Sequence, residues 1–459
     1  MIAERLTVDD DERSAAILKR FAEVFDRPAT HLIEAPGRVN LLGEHTDYNG
    51  LPVLPMAVDR SVLVAAAPAA DHIVRLRNLD DAAYPARSYE LSAELPPYTG
   101  GDWGNYHKAA ANGVRHTRYG DLRRGGDFLV DGNIPAGAGL SSSSALVVAS
   151  ALGLLAVNEI EVPYLELAEL LPSAERYVGT LSGGMDQAVS LLAQAQRALR
   201  IDFFPLRVQP VPLPPGHRIV VCHSLVTAEK SGRARHAYNL RVVECRLAAR
   251  VCEVSLAPAL PRALTRLGDL AQLFPARSLA EFLPGLEAHV PARPLSLAEV
   301  ARVVGASPAQ LRLDCQIPAD VGDQFSLFRR ARHVLTEADR VDRAVPLLHA
   351  GDAAGFGALM DASHASCRDD YDISCPEVEE LVATAKESGA LGARVTGAGF
   401  GGCIVALVEA DVVAGFLELL DRRFYRPRLG SHTSAASHRF VFQPCAGASV
   451  KPVGGAERT

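Results

Sequence analysis

The chain lacks any C-x-x-C pair, and its eight cysteines all lie beyond residue 221. Such scatter makes neither a zinc framework nor a disulfide scaffold, so reduced thiols in a reducing compartment are expected. A basic excess is also missing. The formal net charge of −7 gives no general field for a nucleic-acid backbone. That total does not exclude a small anion, because a local arginine and helix-end N–H groups can bind phosphate. Long hydrophobic runs are absent too. The longest, Ala145 to Val157, contains Ser150 and is shorter than a membrane span. The opening residues, MIAERLTVDDDERSAAILKRF, are acidic and amphipathic with no apolar signal core, which reads as a cytoplasmic protein. No Walker loop, G-x-x-x-x-G-K-[ST], is present. What remains is an ordinary globular profile, with 48% hydrophobic and 22% charged residues. A length of 459 residues suits two large domains or three smaller ones.

Periodicity predicts a helix over 11–27, with Ala16, Ile17, Leu18, Phe21 and Val24 at helical spacing. Strands are expected over Val53–Pro68, broken at Pro55, and over Asp127–Val130. Ser141–Val157 reads as a helix with serines in its first turn, and Tyr164–Val178 as another. Ile219–His223 reads as a buried strand, followed by a long helix over about 236–254. Residues 255–320 are helical and punctuated by proline, and no internal repeat stands out. The proline-rich run PLRVQPVPLPPG suggests a boundary between domains 1–210 and 211–445. Residues 446–459, with few large apolar side chains, read as a mobile tail.

Chemistry concentrates in three glycine-rich segments. The first, APGRVNLLGEHTDYNG from Ala35 to Gly50, sets Arg38 beside Glu44, His45 and Asp47. The arginine fork suits phosphate, and the other three side chains suit sugar hydroxyls. The second, GNIPAGAGLSSSSALVVASALGLL from Gly132 to Leu155, runs from a glycine turn into a helix. Gly137 and Gly139 let the backbone approach a phosphate, and the helix N-terminus adds unpaired N–H groups. Ser141 to Ser144 offer hydroxyls to phosphate or to a magnesium shell. This is no dinucleotide fingerprint, because the sixth position counted from Gly137 is Ser142. The third, RVTGAGFGGCIVAL from Arg394 to Leu407, does match G-x-G-x-x-G, but a strand follows it. It reads either as a strand-initiating turn or as a backbone wall against the phosphate loop. Between the last two lies GTLSGGMDQAVSLL, where Asp186 opens a helix after Gly183 and Gly184. Asp186 either caps that helix or faces a sugar hydroxyl.

Other candidates are weaker. Glu44, His45 and Asp47 have no further ligand at metal spacing. Cys367 and Cys403 read as inert buried thiols. Residues 368–372 read as a solvated, salt-bridged corner rather than a metal site. Trp103 reads as a core or rim residue, with a flank for an adenine as the alternative.

Taken together, the three loops resemble the three motifs of the GHMP small-molecule kinases. Residues 35–50 resemble the galactokinase signature, and the similarity extends through AERYVGT (174–180), HAYNLRVVECRLAAR (236–250) and SCRDDYDISCPEVEEL (366–381). The resemblance implies an α+β, two-domain fold with the active site in the interdomain cleft. It also implies transfer of phosphate from ATP, with Mg2+, to the anomeric hydroxyl of galactose, and a monomer without nucleic-acid or membrane partners. By matching position, Asp186 and Arg38 would be catalytic. Glu44, His45, Asp47, Gly183 and Tyr238 would contact the sugar. Gly137, Ala138, Gly139, Leu140, Ser141, Ser142 and Ser143 would hold the ATP phosphates, and Ser143 and Glu175 the magnesium ion. The blocks LSSSSA (140–145) and VVECRLAAR also resemble N-acetylgalactosamine kinases, whereas Ser182 and Tyr238 suit an unsubstituted sugar. Galactose is therefore expected, with N-acetylgalactosamine and then arabinose as alternatives. A non-catalytic sugar and ATP sensor is the remaining reading, and the retained Ser144-Ala145 pair, Asp186 and Arg38 argue against it.

Overall fold

The computed structural model describes residues 10–454 apart from 93, 136–137, 180–182, 228–232, 257–259, 261–262, 320 and 431–434. The chain runs α1 (Asp10–Phe25), β1 (His31–Leu42), β2 (Leu54–Pro68), β3 (Ile73–Asn78), β4 (Arg87–Glu90) and α2 (Gly104–Val114). A small hairpin, β5 (His116–Thr117) and β6 (Gly120–Asp121), precedes β7 (Gly126–Gly132). Then come α3 (Ser142–Val157), α4 (Tyr164–Ala174), α5 (Met185–Leu192), β8 (Arg197–Asp202), β9 (Arg207–Pro212) and β10 (His217–His223). α6 (Arg233–Leu256) is followed by four short helices, α7 (Asp269–Leu273), α8 (Leu283–Glu287), α9 (Leu297–Val304) and α10 (Pro308–Asp314). The remainder is α11 (Leu327–His349), α12 (Ala353–Ser366), α13 (Pro376–Glu387), β11 (Gly392–Thr396), β12 (Cys403–Glu409), α14 (Val413–Leu420), α15 (Arg426–Leu429), β13 (Arg439–Phe442) and β14 (Ser449–Pro452).

Two sheets organise these elements. The first has the order β14-β1-β2-β7-β3-β4, antiparallel except where β3 runs parallel to β7. Its central strands are buried on both faces, and side-chain alternation decides which helix each residue meets. Leu32, Leu63 and Ala65 pack with Ile17 and Phe21 of α1. Their neighbours Ile33, Val62 and Val64 pack with Val147, Val148 and Ala151 of α3. α3 is apolar nearly all round because it is buried nearly all round. The second sheet, β11-β12-β10-β13, is antiparallel throughout. Its alternate residues divide in the same way. Val221, Cys403 and Val405 join the core of the first sheet, whereas Cys222, Ile404 and Ala406 pack with α6 and α11.

Most of the expected elements form within a residue or two of the predicted limits. Three differ. Pro55 does not break β2, because the strand continues through it opposite a bulge at Asn40/Leu42 of β1. The proline-rich run is not a bare linker, because Arg207–Pro212 pairs antiparallel with β8. The mobile-tail reading of 446–459 is corrected over Ser449–Pro452, which forms an edge strand on β1. Backbone pairing there needs no large apolar side chain.

Candidate active site

Arg38 sits on β1 just after a bulge at Pro36/Arg38, and that irregularity re-aims its side chain. Its Nε donates to Asp186 Oδ1 at 2.7 Å, and its Nη1 donates to the Gly139 carbonyl. Its own N–H donates to Leu140 O at 3.1 Å. One residue thus ties the first loop, the serine loop and the Asp186 helix together. The second oxygen of Asp186 accepts from the Ser141 hydroxyl and, at 3.3 Å, from that of Ser144. Asp186 lies in the first turn of α5, where the helix dipole favours a carboxylate. Ser141 has φ 58°, a left-handed conformation that costs a non-glycine residue about 1–2 kcal/mol and is held by the surrounding bonds.

Glycines allow the loops to meet backbone to backbone. A Cβ on Gly183 would lie 2.3 Å from Tyr48 N and 2.5 Å from Asp47 Cγ. A Cβ on Gly397 would lie 2.9 Å from Gly139 O. The third glycine segment is therefore a wall against the serine loop, the second of its two sequence readings. Gly137 and Ser182 lie outside the described residues, as does the side chain of Glu175.

Behind the first loop lies a buried ionic layer. Glu44 Oε2 accepts from Arg394 Nη2 at 2.8 Å and from Gly397 N at 3.2 Å. Burial pushes the Glu44 carboxyl above its ordinary value, and Arg394 and Arg38 pull against that shift. Glu337, fully buried on α11, accepts from the backbone N–H groups of Gly43 at 2.9 Å and Glu44 at 3.2 Å. Burial alone would raise the Glu337 carboxyl, but Arg340, Arg394 and His333 hold it below the ordinary range. His333 Nε2 donates to Glu44 O at 3.0 Å.

His45 is held as tightly. Its Nε2 lies 3.2 Å from Ala398 O, which can only accept, so that nitrogen carries the proton. Burial lowers its pKa to about 3, so the ring is neutral and Nδ1 accepts from Tyr48 Oη at 2.9 Å. Tyr371 then donates to Tyr48 at 2.6 Å. Tyr238 of α6 packs its ring 5.2 Å from that of His45. Asp47 is 7% exposed and accepts weakly from Met185 N at 3.5 Å. Burial, then the nearby Asp186, raises its pKa to about 6.

A cavity of about 570 Å3 opens beside the serine loop. Gly139, Leu140, Ser141, Ser142 and Ser143 form one side, with Ala398, Gly399, Gly401 and Gly402. Tyr84, Trp103 and Tyr106 form the other. Trp103 is anchored by its Nε1–H to Pro85 O at 2.8 Å. Ala138 is buried beneath the loop. Among the described residues no group of three His, Cys, Asp or Glu side chains gathers as a metal site. Cys367 and Cys403 are buried, and burial pushes both thiols up, Cys367 to about 12. Asp369, Asp370 and Asp372 pair with Arg368, Arg332 and Arg241, so the corner is salt-bridged as expected, but it is not solvated throughout, because Asp370 and Tyr371 are buried. Arg394, Glu337 and His333 were not singled out from sequence. Arg394 stands inside the third glycine segment, so that position was a signal read only for its glycines.

Two sheets, a serine loop opening a helix and a glycine wall define a GHMP kinase. Residues 105–194 match the GHMP kinases N terminal domain and residues 344–425 the GHMP kinases C terminal domain. Residues 19–68 match the galactokinase galactose-binding signature. A galactokinase of Dictyostelium discoideum is 34% identical, over 96% of this chain and 94% of its own. One from Roseiflexus sp. is 36% identical, over 89% and 90%. The crystal structure of Lactococcus lactis galactokinase complexed with galactose superposes with a TM-score of 0.73 at 29% identity, covering 95% of this chain and 99% of that one. The chain belongs to the galactokinase family.

Proposed function

We infer that this cleft transfers the γ-phosphoryl group of ATP to the anomeric hydroxyl of galactose. The Arg38–Asp186 pair, 2.7 Å apart between the sugar loop and the serine loop, carries the reading. Asp186 accepts or orients the proton of the sugar hydroxyl, and the oxygen attacks the γ-phosphorus in line. Arg38 and the N–H groups at the start of α3 offset charge on the transferred group. Positioning and electrostatics supply most of the acceleration. Asp47, Gly183 and Tyr238 face the sugar hydroxyls. Glu44 and His45 also belong to the sugar site, and their bonds to Arg394, Gly397 and Ala398 make them supports of the loop as well.

The phosphates occupy the cavity beside Gly139 to Ser143, with the adenine against Tyr84 and Trp103. Hydroxyl and phosphate oxygens are hard donors that suit Mg2+, which keeps several waters and takes few protein ligands. Ser143 lines the cavity and would hold the ion with Glu175. When bound, the ion supplies charge neutralisation between the phosphates. Sheet membership supports a division of the chain between β9 and β10, just after residue 212, with Ser449–Pro452 returning to the first sheet. No helix among the described residues is long and apolar enough to cross a membrane. Eight free thiols agree with a reducing, cytoplasmic setting.

A coupled ADP-release assay with galactose, N-acetylgalactosamine, arabinose and glucose tests the substrate through kcat/KM. Galactose is expected to lead. A lead for N-acetylgalactosamine would keep the chemistry and overturn the sugar assignment. ATP binding without ADP release from any sugar would favour the sensor reading.

Two further outcomes follow from the geometry. Asp47 is ionised above its raised pKa of about 6 and protonated below it. A protonated Asp47 is a poorer acceptor for a sugar hydroxyl, so kcat/KM for galactose should fall as pH drops through about 6. Asp47→Asn should lower the plateau and remove that limb. Gly183→Ala places a methyl inside contact distance of Tyr48 N. Overpacking of about 1–3 kcal/mol, set against sugar binding, corresponds to a rise of roughly fivefold or more in KM for galactose. An unchanged KM would show that the 47–48 backbone yields freely.

A further inference from the structure

A second cavity, of about 870 Å3, lies behind the sugar loop and, among the described residues, shares no lining residue with the cavity beside the serine loop. Four arginines reach it: Arg176, Arg246, Arg250 and Arg266. Among the described residues, Glu169 and Asp314 are the carboxylates on its wall. The balance of the described lining is positive in a protein whose net charge is −7. Arg246 and Arg250 stand four residues apart on α6, so both point from one face. The Arg246 guanidinium donates to two neutral acceptors, Cys315 O at 3.1 Å and Gln316 Oε1 at 3.4 Å. Burial lowers its pKa, and Arg176 adds like-charge repulsion. Arg250 pairs with Glu253 through Nη1, yet its buried Nε has no hydrogen-bond partner. Arg266 lies 3.5 Å over the Phe204 ring, which presents a flat guanidinium beside an apolar wall. Tyr48, Gly183 and Gly184 close the inner end.

We propose that this cavity is a binding site for an organic phosphate, with the phosphate on Arg246, Arg250 and Arg176 and the organic part against Phe203 and Phe204. Planar forks with free N–H directions match phosphate oxygens two at a time. A dianion would relieve the repulsion between Arg246 and Arg176. The volume falls within the range of ordinary small-molecule sites. Because the inner end is the back of the Tyr48–Gly183 contact, occupancy and sugar binding are coupled, and the coupling is reciprocal. This last clause rests on the sugar assignment above; the binding itself does not.

Calorimetry on the full chain tests it, with the cleft first filled by galactose and a non-hydrolysable ATP analogue. Galactose 1-phosphate, AMP and inorganic phosphate are then titrated in turn. One of the two esters should bind at a single site, at least tenfold more tightly than inorganic phosphate. Arg250→Ala should weaken that binding tenfold or more. Arg176→Ala, at an exposed position, should weaken it severalfold with an unchanged thermal midpoint. Neither variant should alter kcat with galactose when no ester is present. Absence of ester binding to the filled enzyme, or ester binding unchanged in both variants, would overturn the proposal. So would equal affinity for ester and inorganic phosphate, which would reduce the site to bare charge. Loss of ADP release with intact ester binding would count against the kinase reading and leave this site standing.

Discussion

Asp186→Asn is expected to lower kcat by roughly two or more orders of magnitude, the scale of a lost acid–base partner, while ATP still binds. The substitution preserves volume and one carbonyl oxygen, which can still accept from Arg38 Nε. It replaces the other oxygen with an NH2 group that faces the Ser141 and Ser144 hydroxyls. Those hydroxyls can turn to accept, so the serine loop keeps its place. What is lost is the capacity to take or orient a proton from the sugar. Turnover and nucleotide binding can be read separately in one variant. Trp103 is the single tryptophan of the chain and lines the cavity proposed for the nucleotide, so a change in its fluorescence on adding ATP is the expected readout of binding. Near-normal turnover would remove Asp186 from the chemistry. Loss of the ATP response would show that the carboxylate organises the phosphate loop rather than the proton.

The parts of this site that were readable from sequence are those where chemistry forbids a side chain. Gly183 and Gly397 stand where main chain meets main chain, and only glycine permits that approach. For Asp186 the local pattern left a helix cap and a sugar contact both open, and its contact with Arg38, 148 residues away in sequence, is a tertiary fact. Glu337 was not readable. It lies in LFRRARHVLTEADR, where charged residues recur on every side, and nothing local separates a buried glutamate from a solvated one. Its partners, Gly43 N and Glu44 N, are 294 and 293 residues away in sequence. The end of the chain failed for a different reason. Composition reports side chains, whereas Ser449–Pro452 is held to His31–Glu34 by backbone pairing. Trp103 fell between the two cases, since a rim tryptophan and an adenine flank share one sequence signature. Its place opposite Ser141–Ser143 is a tertiary fact.

Arg394→Met should destabilise the protein by about 3–5 kcal/mol, the usual cost of breaking a buried ion pair from one side. Arg394 is 0% exposed and donates to Glu44 Oε2 at 2.8 Å and to Asn40 O at 3.1 Å. Methionine fills much of the stem but supplies no charge. Glu44 would then keep only the Gly397 N–H, inside a pocket whose burial already raises its pKa. A carboxyl with a folded pKa above its unfolded one is least costly when protonated. The deficit of the variant should therefore be small in acid, and it should grow as pH rises from the ordinary carboxylate range toward the raised folded value. Adding Glu44→Gln to Arg394→Met removes the stranded charge, so the double variant should be more stable than Arg394→Met alone near neutral pH. Thermal unfolding of the two single variants and the double variant across pH closes the cycle. Simple additivity at every pH would mean that the pair acts through packing and not through charge. A coupling that appears only above the acid range would assign the stability of the sugar loop to this ion pair, which joins the loop that follows β1 to β11 of the second sheet.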